Sequence, residues 1–365
     1  MAKNPVTFIK NSLKKMVGES TIPIKEQLAY AGGTFGNSMG QDLVGTFLTL
    51  FMAKYMGIEM VWITALTVVA KVVNVLADPV VGTILDRGIG RNPKNLIRPF
   101  LLLSPLPLSI TSILLFVIPA RNMAFRIVWV FVFYLIYNVA DNFYDISLSA
   151  MSVRMCKDPK DRKNFYTLAE FASSLGITLP GGVIPIFISM YSNDFVAQQN
   201  IYLIGALVFG IPGLITMLIP GFVLKERNPF VKIKKPKVAL NAKALLNNRP
   251  LIVIIISDTI ESIRKICYGA LAFFYLETLN AFWLSTVIGA ASVTLTYIGI
   301  LLVPIIGNKL SSRNMIAFGY LFSTACYALL LVTGYKFLWL VGFLVAISGF
   351  PNGIMRSAKK ILLAD

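Results

Sequence analysis

Histidine is absent from these 365 residues, and cysteine occurs only at positions 156, 267 and 326. The first absence removes the commonest titrating group near neutral pH and the commonest metal ligand. The second excludes a disulfide framework and any Cys-based zinc spacing. Charge is scarce too. Asp, Glu, Lys and Arg make up 14% of the chain, against about 25% in an ordinary soluble domain. Strand-length alternation of apolar and polar residues is missing, which argues against a membrane barrel. No phosphate-binding loop, metal spacing or acid–base constellation is present, so the sequence does not read as an enzyme and implies no cofactor. Residues 1–26 are lysine-rich, without the short apolar core of a cleavable signal.

What is abundant is apolar. Hydrophobic residues make up 56% and the mean hydropathy is +0.72. They fall in about ten blocks, near 28–54, 60–84, 98–118, 125–148, 166–190, 201–224, 251–275, 282–306, 314–333 and 337–357. Most approach the roughly 20 residues a helix needs to cross the hydrocarbon core. The chain therefore reads as an all-α, multi-pass membrane protein. The net charge of +17 is a matter of topology. With the N-terminus inside, only Lys54, Arg121, Arg126 and Lys336 lie on the outer side, and Lys71, Arg264 and Lys265 lie within segments. That bias predicts a cytoplasmic N-terminus in the cell membrane. The basic residues then face anionic lipid headgroups, not nucleic acid. Four parts are expected: a cytoplasmic segment 1–26, a six-helix bundle 27–224, a basic, proline-broken cytoplasmic linker 225–249, and an incomplete bundle of about four helices, 250–365. Six helices, a long linker and further helices around a central site is the layout of the major facilitator superfamily.

Within the apolar blocks lie Asp42, Asp78, Asp141, Asp145 and Glu170. A carboxylate at the bilayer centre costs a few kcal/mol or more, so such residues face a cavity, pair with a cation, or both. Several in one chain point to a polar pathway through a helix bundle, and hence to transport. Lys71, Asn74 and Asp78 share one helical face, as do Asp141 and Asp145.

Several stretches resemble the glycoside–pentoside–hexuronide:cation symporters, the group that includes the melibiose permease. They are Tyr30-Ala31-Gly32-Gly33-Thr34-Phe35-Gly36, closing at Gly57-Ile58; Asp78-Pro79-Val80-Val81-Gly82 with Asp86-Arg87, Gly90-Arg91 and Arg98-Pro99-Phe100; Tyr144-Asp145-Ile146 with Asp158-Pro159-Lys160-Asp161-Arg162; and the terminal Ala364-Asp365. The resemblance implies a major-facilitator bundle that couples uptake of a sugar or glycoside to Na⁺, Li⁺ or H⁺, working as a monomer. It places Asp78 and Asp145 in the cation site (as Na⁺ ligands if sodium couples), with Asn74 where the family has a second carboxylate. Lys71 stands where the family has an arginine. Ser38 replaces an acid that holds sugar hydroxyls, with Asp42 one turn on as a substitute. Glu170 stands where sugar-carrying members have arginine.

The expected solute contacts are therefore Ser38, Asp42, Lys71, Asp141, Asp145, Glu170 and, in the seventh segment, Arg264. Asp86, Arg87 and Arg91 match the superfamily's gating motif between its second and third helices. Two alternatives stay open: a major-facilitator carrier of a non-sugar solute (an exporter, or a lipid or organic-ion carrier), and a membrane receptor that binds without transport. With about ten spans against the family's twelve, the expectation is of a bundle truncated to six plus four helices, a fragment that does not carry out coupled uptake alone.

Overall fold

A computed structural model of the chain describes residues 22–88, 97–120, 122–156, 159–191, 194–227, 252, 282–307, 310–333 and 338–364. Every regular element among them is a helix: α1 (Ile24–Lys54), α2 (Met60–Gly88), α3 (Arg98–Leu103), α4 (Pro105–Leu114), α5 (Met123–Met155), α6 (Pro159–Met190), α7 (Phe195–Val223), α8 (Phe282–Ile306), α9 (Ser312–Thr333), α10 (Leu338–Ile347) and α11 (Gly349–Ala364). The chain divides into two compact units, Met1–Pro229 with Ser292–Asp365, and Phe230–Ala291. Of the second, only residue 252 and the opening residues of α8 are described.

Local chemistry sets the helix limits. Asn122 and Asp194 cap α5 and α7, their side-chain oxygens accepting from Phe125 N at 3.2 Å and Ala197 N at 2.9 Å. The turn between α1 and α2 passes through Gly57 at φ +71°, a backbone conformation that suits glycine. The apolar block 98–118 is two helices, not one. Pro105 and Pro107 have no N–H to continue the ladder, and the helix breaks at Ser104. The last block is also divided, at Ser348, between α10 and α11. The expected span 251–275 lies outside the described residues.

Among the described residues, six stretches are long and apolar enough to cross a membrane: Met60–Leu85, Met123–Met155, Phe165–Met190, Phe195–Val223, Val287–Ile306 and Trp339–Lys359. Helix α1, the central one, is not among them. It is flanked by α6 and α7, its most extensive neighbours, and it buries Thr34, Asn37 and Ser38 among its apolar residues. Close approach makes this possible. A methyl group on Gly176 of α6 would collide with the backbone of Phe35, and one on Gly36 with Thr216 and the Gly213 carbonyl of α7. Small residues at such crossings let membrane helices pack backbone to backbone.

Contacts at the helix ends fix direction. Arg126, at the start of α5, donates to the Met56 carbonyl at 3.1 Å, so α5 begins where α1 finishes; this is the distal end. At the proximal end, where α1 begins, Arg227 pairs with Glu26 at 2.7 Å. There Glu226, just past α7, pairs with Arg154 near the end of α5 and accepts from Ile97 N at 2.8 Å. Helices α1 and α5 therefore run in opposite directions, and α2 and α5 in the same direction. The distal end is closed by Phe51, Tyr55, Phe116, Phe195 and Tyr202, with neighbouring ring centroids 5.0–6.2 Å apart. Gln198 ties this cluster to α1, accepting from the Tyr55 hydroxyl at 2.8 Å.

Candidate functional site

The polar residues of α1 divide between two neighbours. Asn37 and Gln41, one turn apart, face α5; Thr34, Ser38 and Asp42 face α6. On the antiparallel α5, Asp145 and Asp141 are also one turn apart, so the two pairs come into register. Asn37 Nδ2 donates to Asp145 Oδ1 at 3.1 Å. Gln41 Nε2 reaches both oxygens of Asp141 at 3.0 Å. One turn further along α5 stands Tyr137, whose buried hydroxyl has no hydrogen-bond partner among the described residues.

Towards α6, Ser38 Oγ lies 2.6 Å from Ser173 Oγ, and Thr34 Oγ1 donates to the Ala169 carbonyl at 3.2 Å. Asp42 Oδ1 accepts from Thr46 at 2.9 Å, and its buried Oδ2 abuts Gly181, in the Pro180-Gly181-Gly182 stretch. Among the described residues neither Asp42 nor Asp141 forms an ion pair with Lys or Arg. Amides and hydroxyls hold these acids.

Helix α2 approaches from the side. Asn74 Nδ2 donates to Asn138 Oδ1 on α5 at 3.1 Å, and Asn138 in turn donates to the Tyr134 carbonyl at 2.6 Å. Because α2 and α5 run the same way, Asp78, one turn past Asn74, lies about level with Asn142, roughly 6 Å along the axis from the Asn74–Asn138 pair. Asp78 and Lys71 are exposed, and neither has a hydrogen bond or ion pair among the described residues.

Glu170 takes a different place from the one its position suggested. Its carboxylate is almost fully buried, 1% exposed, and pairs with Arg356 Nε of α11 at 2.9 Å. Two turns along α6, Thr178 Oγ1 lies 2.7 Å from the hydroxyl of Tyr297 in α8. Glu170 thus faces the later helices, not α5. Arg91 and Arg264 lie outside the described residues, as do the side chains of Asp86 and Arg87.

The structure therefore brings Asp141 and Asp145 together with α1, and sets Ser38 and Asp42 on the adjoining α1–α6 seam. It puts Asn74 on α5 a turn or two away and leaves Lys71 and Asp78 without a partner among the described residues. The sequence reading does not single out Asn37, Gln41, Asn138 or Arg356. Asn37 and Gln41 carry a readable signal, polar side chains spaced i, i+4 in an apolar helix.

An apolar cavity of about 490 Å³ opens between α2, α3, α4 and α5, among Ile84, Phe100, Leu103, Leu135 and Phe143. It touches none of the acids and offers a polar solute no partners. The acid seam offers oxygen. Asn37 Oδ1, Asn74 Oδ1 and Asp42 Oδ2 are buried acceptors with no hydrogen-bond partner among the described residues. Carboxylate and amide oxygens together suit a hard monovalent or divalent cation. No group of three acidic, His or Cys side chains converges as a metal centre among the described residues, so a bound cation would share amide or hydroxyl oxygens.

The chain is 22% identical over 368 residues to the isoprimeverose transporter of Lactiplantibacillus pentosus, covering 96% of this chain and 73% of that one. It is 23% identical over 321 residues to the uncharacterized symporter YjmB of Bacillus subtilis strain 168, covering 86% and 68%. The major-facilitator proton:xylose symporter XylE, solved with 6-bromo-6-deoxy-D-glucose, superposes with a TM-score of 0.58 at 12% identity, covering 93% of this chain and 85% of that one; this likeness bears on the fold. Residues 29–365 match the family described as MFS/sugar transport protein. The fold and the glycoside–cation symporter resemblance expected from the sequence are thereby upheld, and the chain belongs to the MFS/sugar transport protein family.

Proposed function

We propose that this chain forms the solute- and cation-handling part of a secondary transporter that couples a sugar or glycoside to Na⁺, Li⁺ or H⁺ by alternating access, with no enzymatic step. One observation carries the reading: carboxylates at the α1–α5–α6 seam are held by amides and hydroxyls, and neither Asp42 nor Asp141 meets a Lys or Arg among the described residues. A half-buried carboxylate within a membrane bundle and without a cationic side chain calls for a mobile cation, a proton included, to balance it. Solute binding beside it can then depend on that cation, which is the basis of symport.

In this reading Asp145 and Asp141 hold the cation, with Asn74 and Asp78 joining from α2 as the helices close. Ser38, Asp42 and Lys71 meet solute hydroxyls. The bilayer is the surrounding partner, the protein works as a monomer in the cell membrane, and its N-terminus faces the cytoplasm, as the distribution of Lys and Arg indicates. The relatives named as an isoprimeverose transporter and a symporter support the solute class and the coupling.

The test is solute binding to the purified protein by calorimetry, with isoprimeverose, xylose and simple glycosides, at matched ionic strength in Na⁺, Li⁺ or choline and at two proton concentrations. One of the three cations should tighten binding of at least one sugar by about tenfold, which corresponds to about 1.4 kcal/mol of coupling. Sugar binding that is indifferent to all three would remove the coupling.

A further inference from the structure

Elsewhere in the bundle, arginine answers acid. The buried carboxylates of Glu26 and Glu170 pair with Arg227 at 2.7 Å and with Arg356 at 2.9 Å, and that of Glu226 pairs with Arg154. The seam of α1, α5 and α6 departs from that pattern. Asp42 has the Thr46 hydroxyl and Gly181 beside it, and Asp141 has the Gln41 amide. Neither forms an ion pair among the described residues, and Lys71, exposed on α2, forms none either.

A second observation points to a ligand at this seam. Tyr137, Asp141 and Asp145 follow one another at four-residue intervals on α5 and so share one face. Tyr137 is 5% exposed, and its hydroxyl has no hydrogen-bond partner among the described residues. That hydroxyl lies close enough to Asp141, Asp145 and Asp42 to feel the charge of each. A buried donor left unmatched beside carboxylates is costly unless a further group meets it. The Tyr134 ring lies parallel to that of Tyr137, with centroids 6.5 Å apart, so aromatic surface adjoins the acids.

We propose that the solute is an amino sugar, whose ammonium seats on Asp42 with the Tyr137 hydroxyl beside it, while Asp141 and Asp145 keep the coupling cation. The inference rests on the symport reading above and narrows its solute from sugars in general to those that carry a positive charge. Charge sets the limit. A monovalent coupling ion offsets one carboxylate of the seam. A neutral sugar brings hydroxyls and leaves the remaining charge uncompensated inside the membrane, which is unfavourable. A sugar acid would add to the excess. An ammonium removes part of it. It also has three donors and no acceptor, so it can give one hydrogen to Asp42 and another to the tyrosyl oxygen. The Tyr137 hydroxyl is then free to donate to a carboxylate. Ring faces such as those of Tyr134 and Tyr137 attract an ammonium as well.

The test is calorimetry on the purified protein in Na⁺, Li⁺ or choline at two proton concentrations. D-glucosamine and D-galactosamine are each compared with the parent hexose and with the N-acetyl derivative, which keeps the nitrogen and loses the charge. At least one amino sugar should bind about tenfold or more tighter than both of its neutral counterparts, as expected for a hydrogen bond to a charged group. Asp42→Asn keeps an oxygen that can accept from Thr46, and should reduce that preference to about twofold or less. Tyr137→Phe should reduce it in part. Circular dichroism and monodispersity in detergent check that each variant folds. Amino sugars that bind no tighter than their neutral counterparts, or a preference that survives intact in folded Asp42→Asn, overturn the proposal. Cation-dependent binding of the neutral hexoses without that preference overturns it too, and leaves the symport reading standing. A preference for the amino sugar that is lost in Asp42→Asn but is indifferent to Na⁺, Li⁺ and H⁺ keeps the ammonium seat and rejects the symport reading instead.

Discussion

Asp145→Asn is expected to abolish the cation dependence of sugar binding, removing the whole of the about tenfold tightening, or about 1.4 kcal/mol of coupling. The substitution is nearly isosteric. Asn37 Nδ2 donates to Oδ1 of Asp145 at 3.1 Å, and an asparagine oxygen at that place can accept the same bond. The Asn37 contact between α1 and α5 survives and the charge is lost. Asp141→Asn should be worse for stability. Gln41 Nε2 touches both carboxylate oxygens at 3.0 Å, so one of them becomes an NH₂ facing another donor. The two variants therefore separate. Asp145→Asn keeps the melting temperature and loses coupling, whereas Asp141→Asn loses coupling and some stability. Calorimetric binding with and without the coupling ion, alongside thermal unfolding in detergent, measures both. Full cation dependence in Asp145→Asn would take Asp145 out of the cation site.

The largest effect on stability is expected at the proximal end. Glu226→Ala should destabilise the protein by about 3–5 kcal/mol, the usual cost of removing one partner from a buried ion pair. Glu226 is 1% exposed and its partner Arg154 11%, so truncation takes a close counter-charge away from a guanidinium that water reaches poorly. The Ile97 amide, held by the other carboxylate oxygen at 2.8 Å, loses its acceptor as well. That one side chain joins the end of α5, the start of α3 and the end of α7. The neighbouring pair makes the contrast. Arg227, the partner of Glu26, is 35% exposed, and Glu26→Gln should cost no more than about 1 kcal/mol. Unfolding by graded addition of a denaturing detergent, followed by tryptophan fluorescence, ranks the two. Equal midpoints for both variants would mean that Glu226 is not the tie described.

Hydropathy located the helices because membrane insertion imposes length and apolarity on each segment separately. The block 282–306 coincides with α8 (Phe282–Ile306), and 60–84 falls short of α2 by one turn at its end. Where the sequence misled, short-range chemistry overrode hydropathy. Pro105 and Pro107 break a block that is apolar throughout. At the candidate site the acids were visible because each is an anomaly in its own helix. Their partners were not. Asn37 and Asp145 are 108 residues apart, and Gln41 and Asp141 100, so only the packing and direction of α1 and α5 can pair them. Glu170 shows the same limit. Its carboxylate stood out in α6, but its cation comes from α11, and no periodicity within α6 could indicate which neighbour would supply it.

The polarity of α1 has a consequence for how the protein is made. A helix that is not apolar enough to count as a span, yet lies at the centre of the bundle against α6 and α7, gains little by entering lipid alone. Its principal neighbours begin at Pro159 and Phe195, about 100 residues and more after Lys54. At about 5–20 residues per second, the ribosome leaves α1 waiting for roughly 5–20 s. During that interval the insertion machinery, not the bilayer, must shelter Asn37, Gln41 and Asp42. A cysteine placed in α1 should consequently react with a membrane-impermeant maleimide in a chain stopped after α5, and be protected in one extended through α7. Helix α1 would then be secured only once chain about 100 residues and more beyond it has been made, so its retention would matter to biogenesis as well as its insertion.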